Sequence, residues 1–154
     1  MGIEIERKFL VTDDSFKKSS VTSINTYFQS YIHSDNNKNI RIRIIDNTKA
    51  FITIKYNTEN SIRRQEFEYE IPLSDAIDIS INCTEYLLKK RYTIPYKNRI
   101  WTVDEYIDSK YNGLITAEIE LDNENQKFKK PKWIGEEITG NPEYSNSNLT
   151  KPTI

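Results

Sequence analysis

Apolar and polar residues alternate one by one along most of this chain. A period of two is the signature of strands, whose successive side chains point to opposite faces. Ile3, Ile5 and Phe9 alternate with Glu4, Glu6 and Lys8; Ile40, Ile42 and Ile44 with Arg41 and Arg43; Ile52 and Ile54 with Thr53 and Lys55. Phe67, Tyr69 and Ile71 oppose Arg64, Glu66, Glu68 and Glu70, while Tyr92 and Ile94 oppose Lys89, Arg91 and Thr93. Val103 opposes Asp104, and Ala117, Ile119 and Leu121 oppose Glu118 and Glu120. The pattern predicts eight strands, near residues 3–11, 24–33, 38–46, 50–56, 64–72, 88–96, 99–106 and 113–121. Turn-forming residues separate them, among them Asp35-Asn36-Asn37, Asp46-Asn47, Lys97-Asn98 and Asn112-Gly113. Short helices are expected from Thr12-Asp13-Asp14 to Lys18, from Ser74-Asp75-Ala76 toward Ile79, and after Asn141-Pro142.

The polar face is sorted by charge. A solvated sheet face mixes Thr, Ser, Lys and Glu along each strand, but here Arg41 and Arg43 make one strand doubly basic and Glu118 and Glu120 make another doubly acidic. Glu4 and Glu6 add two carboxylates with Lys8 beside them. Acidic and basic sectors on one surface suit a metal ion and a polyanion held side by side. Eight antiparallel strands can close into a barrel, which removes the exposed sheet edges. Alternation alone leaves open which face of such a barrel is inside.

These residues are also where the chain resembles a known family, the CYTH or triphosphate tunnel metalloenzyme superfamily. The family's Glu-x-Glu-x-Lys is found as Glu4, Glu6 and Lys8. Arg41-Ile42-Arg43, Thr53-Ile54-Lys55, Arg64-Gln65-Glu66-Phe67-Glu68, Lys89-Lys90-Arg91-Tyr92, the Asp104 segment and Glu118-Ile119-Glu120 follow in order. The tail from Gly135-Glu136-Glu137 through Tyr144, Asn146 and Leu149 is similar to the family's C-terminal segment. Residues 1–154 are accordingly read as one domain of this type. The resemblance implies a mainly β (α+β) fold, a closed eight-stranded antiparallel barrel forming a tunnel with a charged interior and a few short flanking helices. Trp101, Trp133 and Leu87 are expected to help cover its apolar face.

Composition narrows the function classes. At 154 residues, with 10 Tyr, 6 Phe and abundant Ile, the chain has the size and apolar content of one folded domain. Lys plus Arg number 22 against 23 Asp plus Glu, with a pI of about 5.9, so no nucleic-acid surface is expected. There is no basic-then-apolar leader pattern and no run of about 20 apolar residues, which points to the cytoplasm and to no membrane partner. The single Cys83 excludes an intrachain disulfide and reads as a small buried hydrophobe, and His33 as a strand-end residue. Gly135 and Gly140 have P-loop spacing, yet Asn141-Pro142 stands where Lys and Ser or Thr are required. Zinc patterns and a Ser-centred nucleophile elbow are absent.

The candidate chemistry divides between the two sectors. Glu4, Glu6, Glu118 and Glu120 offer the hard oxygens that Mg²⁺ or Mn²⁺ prefers. Lys8, Arg41, Arg43, Lys55, Arg64, Lys89 and Arg91 are expected to cradle phosphate oxygens. Glu66 and Glu68 are expected to hold those cations in place by ion pairing, and Asp104 to orient a base or a metal-bound water. Arg7 and Lys90 have the wrong parity and are expected to face solvent; Lys151 could reach the tunnel mouth; Glu137 has no evident role. The resemblance implies hydrolysis of a linear triphosphate by in-line attack of a metal-activated water, with Glu4, Glu6, Lys8, Asp104, Glu118 and Glu120 as the catalytic set. The Glu6-Arg7-Lys8-Phe9-Leu10-Val11 start favours inorganic tripolyphosphate, with nucleoside and thiamine triphosphates still open. A class IV adenylate cyclase making cyclic AMP, and a non-catalytic polyphosphate- or nucleotide-binding module, are the alternatives. The expected partner is a small-molecule triphosphate, and the expected assembly a monomer or homodimer.

Overall fold

The period of two becomes ten strands in the computed structural model, which describes residues 2–60 and 62–153. They are β1 (Ile3–Val11), β2 (Ser23–Ser34), β3 (Lys38–Ile45), β4 (Lys49–Tyr56), β5 (Arg63–Ile71), β6 (Glu85–Tyr96), β7 (Arg99–Asp108), β8 (Ile115–Glu120), β9 (Ile134–Glu137) and β10 (Lys151–Pro152). One α-helix, α1 (Leu73–Ile81), follows β5. Eight of the strands form a closed antiparallel ring in the order β6-β2-β3-β4-β5-β1-β8-β7, sealed by the pairing of β7 with β6. Closure of this kind removes most of the sheet edge that another chain could pair with. At the turn between β6 and β7, Lys97 and Asn98 both have positive φ (49° and 65°), the backbone a two-residue type I′ hairpin demands.

Two strands were not foreseen, and both are short partners found only at long range. β5 pairs with β1 at Ile3 to Ile5, and β9 takes over farther along, pairing with β1 from Phe9 to Val11. β10 adds to β6 at Glu85 and Tyr86. The expected first helix is a single 3-10 turn, Ser15–Lys18, and the expected C-terminal helix is two 3-10 turns, Pro142–Tyr144 and Asn146–Leu149. Segments this rich in Asn and Ser spend their side chains on local backbone groups, which stops helix propagation. Among the described residues, no helix is long and apolar enough to cross a membrane.

Register decides which face is which. The apolar face of the β1/β8/β7/β6 wall packs outward in a cluster containing Ile5, Phe9, Tyr92, Ile94, Trp101, Val103, Ala117 and Ile119. Phe16 from the first 3-10 turn and Trp133 seal it, edge-on to Tyr92 and Trp101 respectively. On the other side, Ala76 of α1, with Leu73 and Ile79, covers Ile42, Ile44 and Ala50. The charged face therefore points into the barrel. Leu87, expected on the outside, shares the parity of Lys89 and instead clusters with Tyr106 and Leu149.

Because Phe16 is fully buried and carried by one turn, Phe16→Ala leaves a cavity that the neighbouring rings cannot collapse into. The expected cost is about 3–5 kcal/mol of unfolding free energy in urea denaturation. A loss below about 1 kcal/mol would show that this turn does not seal the outer core.

Candidate functional site

Two cavities of about 450 and 490 Å³ open inside the barrel. Glu6, Arg41, Lys55, Glu118 and Asn146 line both, so these five side chains form the narrowing between them. The first cavity adds Glu4, Glu66, Glu68, Glu120, Arg43 and Arg91; the second adds Lys8 and Arg64. Of the fourteen residues anticipated from the sequence, only Lys89 and Asp104 line neither; they lie fully buried in the wall behind Arg91. Lys151, considered for the tunnel mouth, pairs with Asp108 at 2.7 Å and also lines neither cavity.

The acidic sector is built where β1 passes between β5 and β8. One carboxylate oxygen each from Glu4, Glu6 and Glu120 lie within 4.8 Å of one another, as a shared cation would require. Glu118 is outside that trio. It accepts from Arg91 at 3.2 Å instead, and against the burial that would raise its pKa, Lys8 and Arg91 hold it well below the carboxylate range. Glu6 moves the other way, pushed well above that range by burial, then by Glu118 and Glu4. The two carboxyls are thus driven apart in pKa, Glu6 up and Glu118 down, the usual outcome for crowded carboxylates. Arg64, expected in the phosphate cradle, binds the acids: its Nη2 donates to Glu4 at 3.1 Å and Glu6 at 2.9 Å. Lys55 bridges Glu4 (3.2 Å) and Glu66 (3.3 Å).

The basic sector faces it across the first cavity. Arg41 donates to Thr53 Oγ1 at 3.0 Å and lies 3.5 Å from Glu68, which also accepts from Thr53. Arg43 donates to Gln29 Oε1 at 3.1 Å, and its guanidinium lies 4.6 Å from the centre of the Tyr27 ring. Burial, with Arg41 and Arg91 close by, draws the Arg43 pKa down to about 10. Arg91 lies 4.8 Å from the same ring. Behind them Asp104 takes two bonds from Arg91 (2.7 and 2.8 Å) and one from Lys89 Nζ (2.7 Å). Despite its burial, those two cations keep Asp104 far below the carboxylate range, while burial pulls Lys89 well down. Asp104 therefore fixes Arg91 at the cavity wall and neutralises Lys89 behind it. The buried Arg41 Nε and Gln29 Nε2 have no hydrogen-bond partner among the described residues.

Tyr27 and Gln29 escaped the sequence reading because β2 carries no charges on its inner face. Their parity was readable: Tyr27 and Gln29 pair with Lys89 and Leu87 on one side, and Gln29 with Arg43 on the other. Arg7, expected in solvent, is half-buried on the outer face and makes a two-bond ion pair with Glu137 (2.7 and 2.6 Å). That pair gives Glu137 a role: it ties β9 to β1.

A closed antiparallel barrel with a metal-fitting acidic trio facing clustered arginines defines a class of protein, the tunnel-type phosphate enzymes. The chain belongs to the CYTH domain family, whose model matches residues 2–151. It is similar to an inorganic triphosphatase of Acetivibrio thermocellus, 45% identical over 157 residues, covering 98% of this chain and 95% of the relative. An inorganic triphosphatase of Nitrosomonas europaea is 29% identical over 153 residues, with 95% of each chain covered. The crystal structure of an inorganic triphosphatase superposes with a TM-score of 0.64 at 25% identity, over 95% of this chain and 93% of the other.

Two measurements check the electrostatics. Asp104→Asn strands buried Lys89 and Arg91, and the expected loss is about 3–5 kcal/mol of stability, partly restored by added tripolyphosphate; no restoration would place these cations out of an anion's reach. Glu6, with its pKa raised in the fold above the ordinary 4.5, makes the native state bind more protons than the unfolded one. Stability of the chelated protein therefore falls as pH rises from about 4.5 through the raised value. Glu6→Gln lacks that fall, so its advantage over the parent grows across the same window. An advantage independent of pH would refute the raised Glu6 pKa.

Proposed function

We propose that this chain hydrolyses a linear triphosphate, inorganic tripolyphosphate in the first place, with Mg²⁺ or Mn²⁺ as its cofactor. The observation that carries the reading is the pairing of opposites across one cavity, the Glu4/Glu6/Glu120 trio against Arg41, Arg43 and Arg91. Only a ligand that brings a cation and a polyanion together satisfies both walls. The two relatives named inorganic triphosphatase support the substrate class.

Three hard carboxylate oxygens fit a divalent cation of this kind, and Glu4, Glu6 and Glu120 would hold it. When bound, such an ion supplies Lewis acidity toward a phosphate oxygen and makes a bound water more acidic. The remaining work falls to the chain's own side chains. Arg41, Arg43 and Arg91 grip non-bridging oxygens, fixing the phosphorus for attack and balancing charge as it shifts to the leaving group. Tyr27 and Asp104 keep those guanidiniums aimed. Lys8, held at 2.7 Å by the Tyr144 carbonyl, and Lys55 meet oxygens near the narrowing. Glu120 is raised by burial, then by Glu4 and Glu118, so it is the acid-sector carboxylate best able to accept a proton from water. No covalent intermediate is needed.

The test measures phosphate release and cyclic AMP formation with tripolyphosphate, ATP and thiamine triphosphate, with and without Mg²⁺ or Mn²⁺. Metal-dependent phosphate release, fastest from tripolyphosphate, is expected. Cyclic AMP would turn the reading to a cyclase, and tight binding without turnover to a binding module. Glu4→Gln and Glu120→Gln should lower kcat by about 100-fold or more with the fold retained. Arg41→Ala should act mainly on KM, by about 10- to 100-fold for one charge-assisted bond. Ordinary kcat in the Glu variants would remove those residues from the metal site.

A further inference from the structure

The tail between β9 and β10 is a strap that leaves β1, crosses one mouth of the barrel and rejoins it at β6. Its sequence makes it stiff. Pro142 opens a 3-10 turn capped by Asn141, whose side chain accepts from the Glu143 N–H at 3.0 Å. The Pro142 carbonyl then accepts from Ser145 Oγ (3.0 Å) and Asn148 Nδ2 (2.7 Å). Leu149, fully buried against Leu87 and Tyr106, anchors the second turn. Between cap and anchor sits Asn146, and among the described strap residues it alone lines both cavities.

Its carboxamide is held in one orientation. Oδ1 accepts from Tyr106 OH at 2.5 Å and lies 3.4 Å from Lys89 Nζ, both donors. That leaves the amide NH₂ as the group to offer an oxygen in the narrowing. The other members of the narrowing come from the barrel wall: the cations Arg41 and Lys55 and the carboxyl groups of Glu6 and Glu118. Asn146 is the one side chain there without an ionisable group, and the one supplied by the tail.

We propose that Asn146 is a specificity-determining residue that sets how long a phosphate chain the pore accepts. This rests on the triphosphatase reading of the first cavity. With a triphosphate against Arg41, Arg43 and Arg91, the Asn146 amide donates to an oxygen of the terminal phosphate and fills the passage beyond it. A fourth phosphate in line would have to displace that amide and pass Glu6 and Glu118. The barrel walls grip phosphate; the strap measures it.

The experiment compares linear tripolyphosphate and tetrapolyphosphate on the full chain, reading Kd by calorimetry and kcat/KM by phosphate release. Asn146→Ala removes both the donor and the obstruction. Tripolyphosphate should weaken by up to about tenfold, the worth of one hydrogen bond, while the tetra- to tripolyphosphate ratio rises about tenfold. Asn146→Asp keeps the size, and with it the acceptor for Tyr106 and Lys89, but replaces the donor by a negative charge. Thermal unfolding should be unchanged while binding of both anions weakens by about tenfold or more. A tetra- to tripolyphosphate ratio in Asn146→Ala equal to that of the parent would overturn the proposal, as would undiminished tripolyphosphate binding in a folded Asn146→Asp. A parent that binds both anions but releases phosphate from neither sinks the hydrolase reading alone, since the binding ratios still decide the role of Asn146.

Discussion

Charge can be kept inside a protein only where each ionised group has a partner or water, because an isolated buried ion costs several kcal/mol. This barrel turns its charged face inward, so the pairing of those charges governs the rest of the structure. Asp104 shows how tightly the constraint binds: one carboxylate, almost wholly buried, serves both Lys89 and Arg91, and Arg91 reaches on to Glu118. Lys55 and Arg64 do the same for Glu4, Glu6 and Glu66. Each strand's register must bring a cation beside an anion on the next strand or the one after it. The apolar face, freed from filling the interior, becomes an external core that the short helical turns and α1 have to cover.

The pairing is incomplete in two places, and they lie across one cavity. Glu4, Glu6 and Glu120 crowd one wall, where burial, then Glu118 and Glu4, push the Glu6 pKa up; on the other wall burial, then Arg41 and Arg91, draw Arg43 down. A cation alone would relieve the first strain and leave the second; an anion alone would do the reverse. A cation and an anion bound there together would therefore be coupled through the protein's own field, each raising the affinity for the other. Arg64 and Lys55 stand on the trio as internal counterions, which keeps the acids from repelling one another before a ligand arrives.

Much of this was legible because strand parity is local. The alternation of Glu4, Glu6 and Lys8 with Ile3, Ile5 and Phe9 needs no knowledge of partners, so the eight ring strands and the two faces of each could be read from neighbouring residues alone, while which face lies inside came from the family resemblance. Leu87 was legible too, since it shares the parity of Lys89, and it was misassigned on hydrophobicity. What could not be read depends on register. Glu118 joins Arg91, while Glu120 faces Glu4 and Glu6, because β8 pairs Glu118 with Lys8 and Glu120 with Glu6, and nothing local distinguishes two glutamates on one face. β9 and β10 are too short to carry a periodic signal and exist only through their partners on β1 and β6. Tyr27 and Gln29 were silent for another reason: a search for charge passes over the neutral groups that aim it.

The same constraint assigns selectivity to the tail. The cations of the cavity wall would address only phosphate oxygens, which are alike in tripolyphosphate, ATP and thiamine triphosphate. The barrel can set affinity and count charge, but its guanidiniums cannot tell what a phosphate chain is attached to or how far it runs. Discrimination requires a neutral obstacle at a fixed distance from the grip, on a segment whose position does not depend on the ion pairs inside the barrel. The strap meets both conditions. It is tied to β1 through Arg7 and Glu137, anchored by Leu149, and reaches into the narrowing through the Asn146 amide. Stability and grip thus belong to the closed ring, and selectivity to the few residues that cross its mouth.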